Sequence, residues 1–361
     1  MSQKIVKLGV VGMGRGARMA ALVANDDNVR IRAICDMDDE KLRGAKALLE
    51  GHGVNDLQCY ENYEKMLQKA DIDAVYVCSF AVNHVPLAIQ ALEKGKHVLC
   101  EIPPISTLEE AKQLKAAVLA HPELKFMVGE NCCYWAFIET WKHMYDEGKF
   151  GDIAYAESEY LHGRDWRQMK PEDYPADHWR QYNPAIKYLT HNLGPLLYIM
   201  DDRCVSVSCM VPDVKYNPYR EGQKNGVALF RTAKGAVIRI LICFDAYVGF
   251  DHNFAMIGTR GSIHTDKNTV VDNAHSFARL SDIPGSIDEL IDIPVTTRYH
   301  GESGAGHGGA DGKMMRHFIR CIIDDTKPPI DIDLGIRMTL PGIIAHESAL
   351  QGGALLEIPE I

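Results

Sequence analysis

The sequence predicts an α/β chain: an N-terminal Rossmann doubly wound parallel sheet, followed by a C-terminal α+β domain with a large, mostly antiparallel sheet. Three observations carry this. Strand and helix patterns alternate over the first third, a glycine-rich turn joins the first strand to the first helix, and extended runs take over beyond residues 148–151.

Apolar runs at 5–11, 29–35, 74–78, 97–100 and 125–128 read as strands, and segments 38–49, 86–92 and 108–119 carry helical spacing between them. Alternation of this kind implies parallel strands with helices on both faces. Thr107 followed by Glu110 is a capping-box signature for the last of these helices. Further on, extended runs at 153–160, 204–211, 227–231, 237–244 and 252–257 are separated by turn sequences such as Ala233-Lys234-Gly235 and Thr259-Arg260-Gly261. Such spacing suits antiparallel hairpins. Helices are expected at 188–200 and 309–323, and a final one at 334–350 is placed to return to the first domain. The expected domains are 1–128 and 129–361, the last helix packing back on the first.

Composition is that of a globular protein, with 46% hydrophobic and 24% charged residues in 361. A net charge of −10, without a basic stripe, argues against nucleic acid as a partner. No stretch approaches the roughly 18 uninterrupted apolar residues of a membrane helix. Met1 runs directly into a strand pattern with no leader-like apolar segment, so no membrane association and a cytoplasmic location are expected. Of the ten cysteines, Cys35, Cys78, Cys100 and Cys243 fall in apolar strand patterns, where a thiol behaves as a small hydrophobe. With no C-x-x-C pair, no metal site is expected. A large sheet with one face left uncovered by its own helices suggests a homo-oligomer.

The turn Val10-Val11-Gly12-Met13-Gly14-Arg15-Gly16-Ala17 closes the first strand and opens the first helix. Gly12 and Gly14 occupy the first two glycine positions of a dinucleotide fingerprint, and Ala17 the third, where only a small side chain is needed. Pyrophosphate would sit at the helix N-terminus, among N–H groups without helical partners. The second strand ends at Asp36, 20 residues beyond Gly16, where a carboxylate can accept both adenosine ribose hydroxyls and repel a 2′-phosphate. NAD is therefore the expected cofactor, held by the first domain.

Later segments carry a recognisable pattern. Val75-Tyr76-Val77-Cys78-Ser79-Phe80-Ala81-Val82-Asn83-His84 is followed by Ala91-Leu92-Glu93-Lys94-Gly95-Lys96-His97-Val98-Leu99-Cys100-Glu101. Together they resemble the Gfo/Idh/MocA family of sugar and polyol oxidoreductases, over essentially the whole chain. The resemblance implies that Asn83, His84 and Glu101 lie near the nicotinamide ribose, with Ser79 and Pro103 among the cofactor-contacting residues. That family usually has Glu-Lys-Pro after this strand, its lysine helping to deprotonate the substrate hydroxyl. Here the segment is Glu101-Ile102-Pro103-Pro104, and isoleucine cannot accept a proton.

A second block, Gly129-Glu130-Asn131-Cys132-Cys133-Tyr134, Tyr160-Leu161-His162 and Tyr188-Leu189-Thr190-His191, resembles glycoside hydrolase family 109, an NAD-using branch that also lacks the lysine. Matched residue by residue, the resemblance implies an active site drawing on Glu130, Tyr160, His162, Tyr188 and His191. The His307-Gly308-Gly309-Ala310-Asp311 segment maps to His307, counted as substrate-binding, and Asp311. The stretch between Tyr160 and Tyr188 is shorter than that branch's usual one, so substrate identity is not carried over.

Glycosidases commonly flank the bond with two carboxylates. The NAD route instead oxidises the sugar at C3, which acidifies the C2 proton. A base then removes it, the aglycone leaves C1, water adds, and C3 is reduced again. Phenols and imidazoles can serve as the bases if their surroundings tune them. The expected roles are His191 for the C3 hydroxyl proton and Tyr160 for the C2 proton, with His162 and Glu130 orienting and Tyr188 positioning the sugar. Tyr160 and His162 alternate on a strand and so share a face; a solvated polar pair is the plain alternative. Arg164, Trp166, Arg167 and Trp179 combine aromatic faces with charged hydrogen-bonders, which suits a carbohydrate or glycoside. Two other readings stay open: a net sugar or polyol dehydrogenase (or keto-sugar reductase) with His191 or a tyrosine in the lysine's place, and a non-catalytic NAD-binding sensor.

Overall fold

The computed structural model describes residues 4–163, 165, 181–214, 217, 222–267, 275–294 and 307–361. The chain forms two compact units, Met1–Asn131 with Glu302–Ile336 and Cys132–Gly301 with Arg337–Ile361.

The first unit is built on six parallel strands: β1 (Val6–Val11), β2 (Val29–Cys35), β3 (Gln58–Tyr60), β4 (Ala74–Val77), β5 (His97–Cys100) and β6 (Phe126–Val128). Their order, β3-β2-β1-β4-β5-β6, reverses direction between β1 and β4. Crevices at such a switch point are where doubly wound sheets bind ligands. Every residue of β4 is buried, as expected of a strand covered on both faces. The helices between the strands are α1 (Met13–Ala21), α2 (Asp39–Gly51), α3 (Tyr63–Lys69), α4 (His84–Glu93) and α5 (Leu108–Ala120). Local chemistry starts them: Asp38 accepts the amides of Glu40 and Lys41, and Asn62 accepts that of Lys65. At α5, Thr107 accepts the Glu110 amide as the capping signature predicts, while the Glu110 carboxylate reaches one residue further back, to the Ser106 amide.

The second unit opens with α6 (Ala136–Asp146), β7 (Ile153–His162) and α7 (Thr190–Met200). It continues through β8 (Cys204–Met210), β9 (Asn225–Thr232), β10 (Val237–Cys243), β11 (Phe250–Gly258), β12 (Gly261–Thr265), β13 (Ser276–Leu280) and β14 (Ile291–Ile293). The chain then re-enters the first unit in α8 (Ala310–Ile323). Helix α9 (Ile332–Leu350) starts among residues of the first unit and ends among those of the second, and β15 (Leu356–Glu357) follows.

The nine strands of the second unit run β14-β13-β12-β11-β7-β10-β9-β8-β15. All neighbours are antiparallel except β7 and β10, which pair in parallel. Burial alternates along β10, with Ile238, Ile240 and Ile242 inside and Arg239 and Leu241 on the other face. Asn192, in the first turn of α7, donates to Ser158 Oγ on the inner face of β7 at 2.9 Å, which fixes that helix start against the strand. No helix of the described residues is long and apolar enough to cross a membrane.

Candidate active site

In the first unit the turn after β1 has the shape that a dinucleotide needs. Gly12 holds φ +92°, and a Cβ there would lie 2.4 Å from the Cys78 carbonyl oxygen, so only glycine fits. A Cβ on Gly14 would meet nothing within 4 Å, leaving open space over the start of α1. That helix has no side-chain cap and no acidic residue in its first turn. A helix N-terminus whose N-cap, Gly12, has no side chain and which lies beneath open space suits a pyrophosphate. Close packing of helix on strand falls at Gly16, whose Cβ would stand 2.9 Å from Val10 Cγ1, beside the buried Ala17. Asp36 follows β2, its Oδ2 accepting the Met13 amide at 2.7 Å and its Oδ1 the Asp38 amide at 3.0 Å. The residues present thus fit NAD.

Arg15 is taken up by two carboxylates of the first unit. Its Nε donates to Glu101 Oε1 at 2.8 Å, and its Nη2 to Asp311 Oδ1 at 2.8 Å. Burial opposes the guanidinium charge, but Glu101, the Tyr76 hydroxyl and Asp311 outweigh it and hold the Arg15 pKa above its ordinary value. Tyr76 also donates to Glu101 Oε1, and burial pushes its own pKa up. Asp311, in the first turn of α8, accepts from Asn131 Nδ2 at 2.7 Å and pairs with His307 Nδ1 at 2.9 Å. Burial would raise its pKa, yet His307, Arg15 and Asn131 together hold it low.

His84 is 1% exposed, its Nδ1 lying 2.9 Å from the Pro103 carbonyl and its Nε2 3.0 Å from the Ser79 carbonyl. The ring therefore ties the loop after β4 to the loop after β5, and burial lowers its pKa. Ser79 is half-buried and Asn83 exposed, at the end of a single 3₁₀ turn, while Pro103 is buried. Glu130 is completely buried just beyond β6.

The second unit gathers an aromatic and imidazole cluster on the inner face of its sheet. Tyr160 and His162 share that face of β7, with ring centroids 5.7 Å apart. His191, from the first turn of α7, meets the Tyr160 ring edge-on at 5.7 Å, and Tyr188, from the 3₁₀ turn Ala185–Tyr188, meets His191 at 5.3 Å. Phe244 closes on Tyr160 at 4.9 Å. Cys132 Sγ lies 3.0 Å from His191 Nδ1. His252 stacks on Tyr160 with centroids 3.9 Å apart and planes at 29°.

The second unit thus brings together Tyr160, His162, Tyr188 and His191, and the first brings together Arg15, Glu101 and His307 through Asp311. Arg164, Trp166, Arg167 and Trp179 lie outside the described residues. Sequence reasoning missed Tyr76, Asn131, Cys132 and His252 as site members. Asn131 and Cys132 adjoin Glu130, and His252 sits at an inward position of a strand whose other inward residues, Phe254 and Met256, are apolar. A polar residue at that parity was the available signal.

Comparison with known proteins agrees with this layout. Residues 6–130 match the model of the oxidoreductase family with an NAD-binding Rossmann fold, Gfo/Idh/MocA. Residues 138–264 match the Gfo/Idh/MocA C-terminal domain, and residues 212–361 the glycosyl hydrolase 109 C-terminal domain. Glycosyl hydrolase family 109 protein 2 of Phocaeicola vulgatus is 30% identical over 71% of this chain and 69% of its own. An alpha-N-acetylgalactosaminidase of Bacteroides fragilis is 31% identical over 55% of this chain and 48% of its own. The crystal structure of scyllo-inositol dehydrogenase from Lactobacillus casei, with bound NAD(H) and scyllo-inositol, superposes with a TM-score of 0.79 over 98% of this chain and 99% of that one, at 20% identity. At that identity the likeness shows a shared fold.

Proposed function

The chain belongs to the Gfo/Idh/MocA oxidoreductase family, in its glycosyl hydrolase family 109 branch, and from that premise we propose that it is an NAD-dependent glycosidase whose turnover leaves no net redox change. That it is an NAD-dependent enzyme follows from the family; the redox-neutral glycosidase is the proposal. One observation supports it above others. Ile102 stands, buried, where the family resemblance implies a proton-accepting lysine, while the inner face of the second sheet carries a phenol ringed by imidazoles.

Bound NAD supplies a reversible hydride acceptor for C3 of a sugar. The chain's own residues handle the protons. His191, with Nδ1 toward Cys132, has Nε2 for the C3 hydroxyl proton. Tyr160, as phenolate, takes the proton from C2. The C2–H electron pair becomes the C1–C2 double bond, and the aglycone oxygen leaves with the electron pair of the broken C1–O bond. Water then adds at C1, its second proton passing to the aglycone oxygen. Tyr160 Oη, after exchanging its proton with solvent, protonates C2, and His191 returns its proton to the C3 oxygen as C3 is reduced again. His162 flanks the phenol and Tyr188 flanks His191, which keeps both rings in register with one sugar. Phenol and imidazole suit these steps because modest electrostatic shifts bring them near working pH.

A test is to incubate the protein with catalytic NAD and a panel of aryl glycosides in deuterated water. The panel includes an N-acetyl-α-galactosaminide, the class that the Bacteroides fragilis relative's name gives. Release of aglycone with deuterium at C2 and no accumulation of NADH is the expected result. Stoichiometric NADH with the glycosidic bond intact would overturn it in favour of a sugar dehydrogenase. Cofactor binding without turnover would favour a sensor.

The outer face of the second sheet exposes Val227 (41%) and Leu229 (49%) on β9, beside Arg239, which pairs with Glu157 and Glu159 on β7. This mixed apolar and charged face supports a homo-oligomer, with a second copy covering it. Leu229→Arg is expected to shift the protein to a smaller species by sedimentation.

A further inference from the structure

We propose that His252 is a positioning and charge-setting residue for Tyr160, holding its phenol ready to ionise. This rests on the reading of Tyr160 as the C2 base. His252 and Tyr160 are directly opposed partners on neighbouring antiparallel strands, β11 and β7. Both point into the inner face, 3% and 7% exposed. The rings lie nearly flat on one another, with centroids 3.9 Å apart and 29° between planes. The other rings that meet Tyr160 among the described residues approach by their edges: His162 at 70°, His191 at 71°, Phe244 at 82° and Phe250 at 90°. His252 therefore fixes the plane of the phenol and stands closest to its π-face.

The choice of residue carries the second half of the argument. His252 is itself packed among rings, with Trp135 at 5.1 Å and Phe250 at 5.4 Å. Its inward neighbours on the strand are Phe254 and Met256. Phenylalanine would fill this place without a polar group to desolvate. Imidazole has the size and flatness of a ring filler and adds the capacity to carry a positive charge. An imidazolium stacked on a phenol attracts its π-face and stabilises the phenolate, and the phenolate in turn offsets the desolvation that burial imposes on the imidazolium. An opposite charge at this distance lowers an acid's pKa by about one to three units. A free phenol near 10 would thereby approach the range in which a general base works. Among the described residues, the titratable groups whose rings meet Tyr160 besides His252 are His162 on its own strand and His191 in the first turn of α7; Tyr188, in the 3₁₀ turn before that helix, and Cys132 lie against His191. The two groups titrate as a coupled pair.

The test reads the phenol directly. Protein labelled with carbon-13 at tyrosine Cζ is titrated by NMR, and the Tyr160 resonance is assigned by its loss in Tyr160→Phe. In the wild type Tyr160 should titrate at least one pH unit below the ordinary value of about 10. In His252→Phe, which keeps a flat ring, its midpoint should rise by about one to two units. Turnover of any cleaved glycoside should fall, with NAD affinity unchanged. His252→Gln, polar but uncharged, should behave like the phenylalanine variant and serves if that one does not fold. An unchanged Tyr160 titration in either folded variant overturns the inference, even if glycosides are cleaved. A shifted titration in a protein that cleaves no glycoside sinks the glycosidase reading while His252 keeps its assignment.

Discussion

Cys132 Sγ lies 3.0 Å from His191 Nδ1, a thiol–imidazole contact at the start of the second unit between a buried thiol and a half-buried ring. A ring nitrogen's protonation is set by the partner of the other nitrogen. In the tautomer whose Nδ1–H donates to the sulfur, Nε2 is the basic nitrogen and can take a hydroxyl proton. Serine at position 132 preserves an acceptor of smaller radius, whereas alanine removes it. Cys132→Ala should therefore lower turnover about tenfold and Cys132→Ser less, against a loss of a hundredfold or more for His191→Ala. Steady-state rates with cofactor affinity measured alongside would check the order. A Cys132→Ala enzyme as fast as the wild type removes the thiol from the mechanism.

Much of this cluster is legible in the chain. Tyr160 and His162 declare a shared face by alternation, and Tyr188 and His191 declare a helix start by position. His252 and Cys132 do not. A lone histidine on a strand looks the same whether its opposite number is a tyrosine or a valine, and strand pairing over 90 residues of separation is set by tertiary register. The same limit applies to the fold. Strands β1, β2, β4, β5 and β6 show as apolar runs. Strand β3 does not, because its residues, at the sheet edge, are largely exposed. Helix α6 escapes notice because its apolar stripe, Phe137, Ile138 and Trp141, adjoins a further aromatic run in the preceding turn. Nor does the glycine loop reveal that Arg15 faces two carboxylates: Asp311 is 296 residues away.

Asp311 is the hub of the first unit's polar network, accepting from Arg15 and Asn131 and pairing with His307 while only 4% of its side chain is exposed. Removing it strands three donors. Asp311→Ala should cost about 2–4 kcal/mol, the range for a buried hydrogen-bonded charge whose partners are left behind. Asp311→Asn, which keeps an acceptor, should cost less. Denaturant midpoints of the two variants measure both. Equal stability of Asp311→Ala and wild type would show that the network does not stabilise the first unit.

Acid should destabilise the protein in two windows. Burial lowers the pKa of His84, as it does those of His97, His317 and His346. The unfolded chain then binds more protons than the folded one below the ordinary value of 6.5, so stability present above 6.5 is lost as pH falls. Asp311 adds a lower window. Its depressed pKa contributes stability above the ordinary 3.8 that disappears as pH falls through the folded value. His84→Gln should narrow the gap between unfolding midpoints at pH 7.5 and 5.5. A gap as wide as the wild type's would exclude His84 from the upper window.

Cofactor choice turns on Asp36. Its carboxylate is already engaged by the Met13 and Asp38 amides, which fixes it at the end of β2 beside the glycine turn. A carboxylate has about four acceptor positions, so two remain for the ribose hydroxyls. A 2′-phosphate brought there meets like charge and finds no donor from this side chain. NAD should bind at least a hundredfold more tightly than NADP. Asp36→Ser removes the charge and both long-reach acceptors. It should weaken NAD about tenfold to a hundredfold, the worth of hydrogen bonds to a charged group, while NADP affinity rises. The same change loosens the Met13 amide, so a fall in NAD affinity alone could come from a disturbed loop. The gain in NADP affinity could not, because a damaged loop would weaken both cofactors. Calorimetric titration of both cofactors against both proteins therefore separates the two, and an NADP affinity that fails to rise in Asp36→Ser would show that preference is set elsewhere.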